Sequence, residues 1–193
     1  MRQNPGFIIT VSGVDGAGKS TIIEELKEEI TTKYRKKVKI LRHRPSLLPI
    51  ISSYKYGRQE AEKRAVESLP RTGMNSSGVS SLLRFLYYYS DYLFGQIYVY
   101  FKYVLRGFIV IYDRYYFDFI QDAKRSNISL NTSLAKSLFR FIIKPRLNIF
   151  LYAHSDEILK RKKELNARTI TSLTSNYRKM FRGYSQKFSK SKY

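Results

Sequence analysis

Cysteine is absent from this 193-residue chain, which excludes a disulfide scaffold, thiolate metal sites and a cysteine nucleophile. Histidine is nearly absent, and His43 and His154 lie too far apart in sequence to suggest histidine-rich zinc chemistry. Acidic residues are scarce: 15 Asp+Glu against 36 Lys+Arg leave a formal net charge of +21. Such a charge asks for an anionic partner without saying which one. Long apolar runs are lacking too. The most apolar stretch, Leu82 to Leu105, is interrupted by Arg84, Asp91 and Lys102, so it cannot serve as a membrane span. Phe7–Val11 is too short for a signal peptide, and the expected compartment is the cytoplasm.

Hydrophobic residues make up 43% of the chain, too many for a disordered polypeptide despite the charge. The length fits a single domain over 1–193 with a core of its own. Strands are expected at Phe7–Ser12, Val38–Arg42, Phe108–Tyr112 and Leu147–Tyr152, all short and largely apolar. Between them, Ser20–Lys33 shows a helical face of Ile22, Ile23, Leu26 and Ile30. Val79–Arg106 reads as a long aromatic-rich helix with Gly95 its weak point and Gly107 its stop. Further helices are expected over Leu130–Ile143, Ser155–Leu165 and Ile170–Phe188. Residues 54–78 carry many charges and the breaker cluster Arg71–Gly78, so they read as a mobile insertion. Strands alternating with helices predict a three-layer α/β fold with a parallel sheet and helices on both faces.

Gly13-Val-Asp-Gly-Ala-Gly-Lys-Ser20 matches G-x-x-x-x-G-K-[ST] in full, between an apolar strand and an amphipathic helix. Glycines 13, 16 and 18 let the backbone turn several N–H groups onto phosphate oxygens. The helix N-terminus adds its partial positive charge. Lys19 is placed to reach the β- and γ-phosphates of ATP, and Ser20 to offer a hydroxyl to Mg²⁺. Asp15, Ala17 and Thr21 complete the expected ATP-binding set. The motif predicts a P-loop NTPase fold and leaves the reaction open.

Asp113-Arg114-Tyr115 follows the third strand, where side chains face the crevice at the carboxyl edge of a parallel sheet. Asp113 is a candidate for holding Mg²⁺ through water, and Arg114 for forking onto phosphate oxygens. The second strand ends in Arg42 and Arg44, with no acid in that segment. A sugar hydroxyl acceptor benefits from a carboxylate base. A phosphate monoester, with a second pKa of about 6, is largely a dianion at neutral pH and needs cations instead.

The segments Gly13–Thr21, Arg44-Pro45 and Asp113-Arg114-Tyr115 together resemble thymidylate kinase, of the P-loop nucleoside monophosphate kinases. The resemblance implies ATP as donor, Mg²⁺, and dTMP as acceptor. It also implies that Asp15 approaches the acceptor sugar and that Arg44 and Arg114 hold the acceptor phosphate or the transferred group. Lys160-Arg161-Lys162-Lys163 and Arg168 resemble that family's lid, over 155–170, with Arg161 and Arg168 as charge-neutralising candidates beside Lys19 and Arg114.

The family's base-stacking aromatic falls near Tyr89, but the arginine expected one turn later falls on Leu93. The family also carries a further strand and helix beyond the element ending near Phe188. On the resemblance, Lys192-Tyr193 looks like the start of that strand in a shortened member. Two alternatives stand beside a dTMP kinase. One is a related kinase acting on another phosphorylated or sugar acceptor. The other is a nucleotide-dependent module that binds nucleic acid or an anionic membrane. Small nucleotide substrates are the expected partners, with a homodimer also allowed for.

Overall fold

Among the described residues four parallel strands form one sheet in the order β2-β3-β1-β4. They are β1 (Ile8–Gly13), β2 (Val38–Arg42), β3 (Ile109–Asp113) and β4 (Leu147–Leu151). The computed structural model describes residues 5–42, 44–45, 47–48, 78–123, 128, 132–161 and 165–189. The insertion expected at 54–78 therefore lies outside the described residues except for Gly78, as do Lys162 and Lys192-Tyr193.

Strand alternation divides the core between the two faces of the sheet. Ile9 and Val11 of β1 and Ile109 and Ile111 of β3 pack against Ile23 and Ile30 of α1 (Lys19–Thr32). Their neighbours Ile8, Val110 and Tyr112 point the other way, into an aromatic-rich cluster. That cluster is covered by α2 (Gly78–Val99), α3 (Tyr116–Gln121) and α4 (Thr132–Leu138). Burial on both faces explains why β1 and β3 read as almost continuous apolar runs.

The long helix passes through Gly95 without interruption, and residues Tyr100–Val104 continue it as a π turn. Gly95 is a point of close approach, not a weak point. A Cβ there would stand 2.4 Å from Pro45 Cβ, so the missing side chain lets the segment after β2 lie against α2. Gly107, with φ 79°, ends the helical stretch as expected. The helix expected over Leu130–Ile143 is shorter: α4 stops at Leu138 and a 3₁₀ turn, Phe139–Phe141, follows.

Among the described residues two helices lie after β4, α5 (Ser155–Arg161) and α6 (Ala167–Ser189). Ile158 and Ile170 form a separate small core with Val14 of the glycine-rich loop. Among the described residues no helix is long and apolar enough to cross a membrane.

Candidate active site

The loop from Gly13 to Gly18 joins β1 to α1 at the carboxyl edge of the sheet. Gly13 (φ 151°) and Gly16 (φ 87°) adopt backbone angles that disfavour side chains. Gly13 is also closed sterically, since a Cβ would meet Leu151 O at 2.3 Å. Ala17 N–H donates to Val14 O at 3.2 Å, tightening the turn. Gly18, with φ 89°, is the N-cap of α1, so the open N–H groups of the helix start face the loop. Ser20 and Thr21 stand exposed on its first turn.

Lys19 folds back over the loop instead of extending into water. Its Nζ donates to Gly13 O at 3.1 Å and to Val14 O at 3.0 Å, and lies 3.6 Å from Asp15 Oδ1. Burial, and next the Arg114 guanidinium, lower its pKa to about 8 against the opposing pull of Asp15, Asp118 and Asp113. Burial leaves this ammonium desolvated among carbonyls, and a bound phosphate would place a further negative charge beside it.

Arg114 occupies the position after β3 with φ 73°, an uncommon conformation for a residue with a side chain. Its N–H donates to Val11 O at 2.9 Å, which pins this bend against β1. The buried guanidinium is shared between two carboxylates: Nη2 pairs with Asp15 of the loop, and Nη1 donates to Asp118 Oδ1 at 3.1 Å. Burial acts to lower the guanidinium pKa, but Asp118 and Asp15 together outweigh it and push the value up.

Asp113, one residue earlier, has its Oδ1 buried with no hydrogen-bond partner. An ionised oxygen left without a donor is costly, and a hydrated divalent cation would satisfy it. Asp113 thus fits the place expected of it beside Mg²⁺. Among the described residues no group of three or more acidic or histidine side chains gathers around a point.

The structure therefore brings together Gly13, Asp15, Lys19, Asp113 and Arg114. Arg161, exposed at the end of α5, points Nη1 at Gly16 O, 3.5 Å away. Arg168 stands exposed on the first turn of α6.

Arg44 and Tyr89 are engaged elsewhere. Arg44 Nη1 donates to Asp91 Oδ2 at 2.6 Å and to Leu48 O at 2.8 Å, and the guanidinium lies over the Tyr88 ring. The acid missing from the end of β2 is thus supplied by α2. Tyr89 belongs to the aromatic core: it stacks with Phe85, meets Tyr116 edge-on and donates its hydroxyl to Leu138 O at 3.2 Å.

Sequence reasoning missed Asp118, Asp91, Ser12 and Tyr177. Asp118 and Asp91 did leave a signal. Each is a lone acid inside an aromatic stretch, Tyr116–Ile120 and Tyr87–Phe94, where an unpaired charge would be intolerable.

A scan against protein-family models gives no match, and a search of curated proteins gives none either. Among solved structures the chain is similar to a thymidylate kinase from Ehrlichia chaffeensis, with a TM-score of 0.55 and 18% identity. The match covers 91% of this chain and 84% of that one. At this identity the likeness shows the fold: an α/β P-loop NTPase architecture with a parallel sheet.

Proposed function

We propose that this chain is an ATP-dependent phosphotransferase that moves the γ-phosphoryl group to a nucleoside monophosphate, with dTMP the leading acceptor. The observation that carries the reading is the meeting of Lys19 and Arg114 across Asp15, directly over a glycine loop built for phosphate. Two anions brought end to end repel each other, and that repulsion is what a monophosphate kinase must offset. Lys19 and the loop amides would take the donor phosphates, and Arg114 would face the acceptor side of the transferred group. Arg161, already directed at Gly16, and Arg168 would add charge from the lid, with Lys162 between them in sequence.

A monophosphate dianion attacks without a base, so positioning and charge neutralisation suffice. Magnesium held by Ser20 and Asp113 would draw off charge from the phosphate oxygens. The fold likeness to a thymidylate kinase supports this assignment, and so do the motif residues named above.

One observation favours a second acceptor class. Tyr89 has its ring packed by Phe85 and Tyr116, and Leu93, where the family's base-contacting arginine would stand, packs against the same core. A phosphorylated sugar or another acceptor without a pyrimidine would not need those contacts. A coupled ADP-release assay over dTMP, dUMP, sugars and sugar phosphates, with products identified by phosphorus NMR, separates the two. Stimulation by dTMP above all others supports the first reading, and stimulation by a sugar compound alone replaces it. Acceptor-independent ATP hydrolysis stimulated by polynucleotide or anionic vesicles would overturn both.

The homodimer belongs to the same proposal. The outer side of the long helix exposes Leu83, Phe94, Ile97 and Phe101, an apolar stripe that a second copy would cover.

A further inference from the structure

We infer that Asp118 is the positioning residue that fixes Arg114 for phosphoryl transfer, and that Tyr177 ties this anchor to α6. The inference rests on the kinase reading given above and assigns a role to a carboxylate that the reading does not use. Asp118 is buried, with 1% of its surface exposed. Its Oδ1 accepts from Arg114 Nη1 at 3.1 Å and from Tyr177 OH at 2.7 Å. Its Oδ2 accepts from Ser12 Oγ at 2.8 Å and from Tyr115 N–H at 3.0 Å. A carboxylate offers about four acceptor directions, and here four donors from β1, the β3–α3 bend and α6 fill them.

The two carboxylates that share Arg114 are not equivalent. Asp15 lies in the phosphate loop, is partly exposed, and also faces Lys19. A phosphate arriving there competes with Asp15 for both cations. Asp118 is saturated and buried, so it has nothing to exchange. Nucleotide binding then frees Nη2 of Arg114 from Asp15 while Nη1 stays anchored, and the guanidinium presents one open edge in a fixed orientation. The anchor matters because the positive φ of Arg114 leaves its backbone in a strained region that neighbours must enforce. Tyr177 is held as a donor: burial, and then the Asp118 charge, raise its pKa well above the usual phenol value.

The test uses the full chain and two measurements on Asp118→Asn, Tyr177→Phe and Arg114→Ala, each checked for folding by circular dichroism. Nitrogen-15 NMR of arginine side chains reads the guanidinium directly, since an anchored group gives resolved Nη–H signals. Steady-state kinetics with dTMP read catalysis. Asp118→Asn should lose the resolved Arg114 signals and lower kcat by about tenfold to a hundredfold, with KM for ATP nearly unchanged, as misplacement of a charged group does. Tyr177→Phe should show a smaller loss in the same direction.

Resolved Arg114 signals and an unaltered kcat in folded Asp118→Asn, alongside a large loss in Arg114→Ala, would overturn the positioning role. Should Asp118→Asn fail to fold, the same two readings on Tyr177→Phe decide: signals and kcat both at parent values overturn the role, and losses in both support it. If Arg114→Ala keeps parental turnover, Arg114 takes no part in the transfer and the positioning role falls with it; if no acceptor is phosphorylated, the kinase reading fails instead. The NMR measurement then still decides whether Asp118 fixes the guanidinium.

Discussion

Lys19 concentrates the chemistry of the site in one side chain. Its lowered pKa of about 8 makes nucleotide binding depend on pH in a definite direction. Below 8 the ammonium is charged and attracts phosphate. Above it the free protein loses that charge, and a bound phosphate must restore the proton. Affinity for ATP is therefore expected to fall as pH rises through 8, and binding near pH 8 to take up roughly half a proton. Calorimetry in buffers of different ionisation enthalpy measures that uptake, and Lys19→Ala should abolish it together with binding. The sequence motifs made Lys19 legible, and Asp15, Asp113 and Arg114 with it, but not Asp118. Asp118 is far from the glycine loop in sequence, and only the bend at Arg114 and the approach of α6 make it a partner. Asp91 was visible as an interruption of an apolar helix, yet its pairing with Arg44 depends on how the segment after β2 crosses α2.

Strand assignments were readable because both faces of the sheet are covered, so β1 and β3 could be nothing but short apolar runs. α3 was not readable. Its six residues, Tyr116–Gln121, are nearly all buried, leaving no polar face for a 3.6-residue period to show. Gly95 illustrates the opposite error: sequence marks a glycine in a helix as a flaw, whereas here it admits Pro45. Gly95→Ala should accordingly destabilise the fold by about 1–3 kcal/mol through overpacking, measured as a lower midpoint in urea. Gly183 in α6, where a Cβ meets nothing within 4 Å, is the control: alanine there should be neutral or stabilising.

For the molecule as a whole, the net charge of +21 and the phosphate site make separate predictions. Binding to polyanions through scattered lysines and arginines should weaken steeply with salt. Nucleotide binding that rests on the loop amides and the buried Lys19 should weaken less. Mg·ATP at about one hundred times its Kd should add about 2.7 kcal/mol of stability, about 5–10 °C in Tm for a chain of this size. Lys19→Ala should remove that shift without changing the unliganded Tm by a comparable amount. Sedimentation velocity tests the homodimer: Phe94→Glu should convert a dimer to a monomer, and a monomeric parent protein would dismiss the idea.

A crystal structure with Mg²⁺ and a bisubstrate analogue, adenosine and thymidine joined through five phosphates, would show whether Arg114 meets the acceptor phosphate. The donor phosphates are expected to be wrapped by the amides of residues 13–20 and contacted by Lys19, with Arg114 turned from Asp15 onto the acceptor phosphate while still bonded to Asp118. An acceptor phosphate lying out of reach of Arg114 would contradict that arrangement.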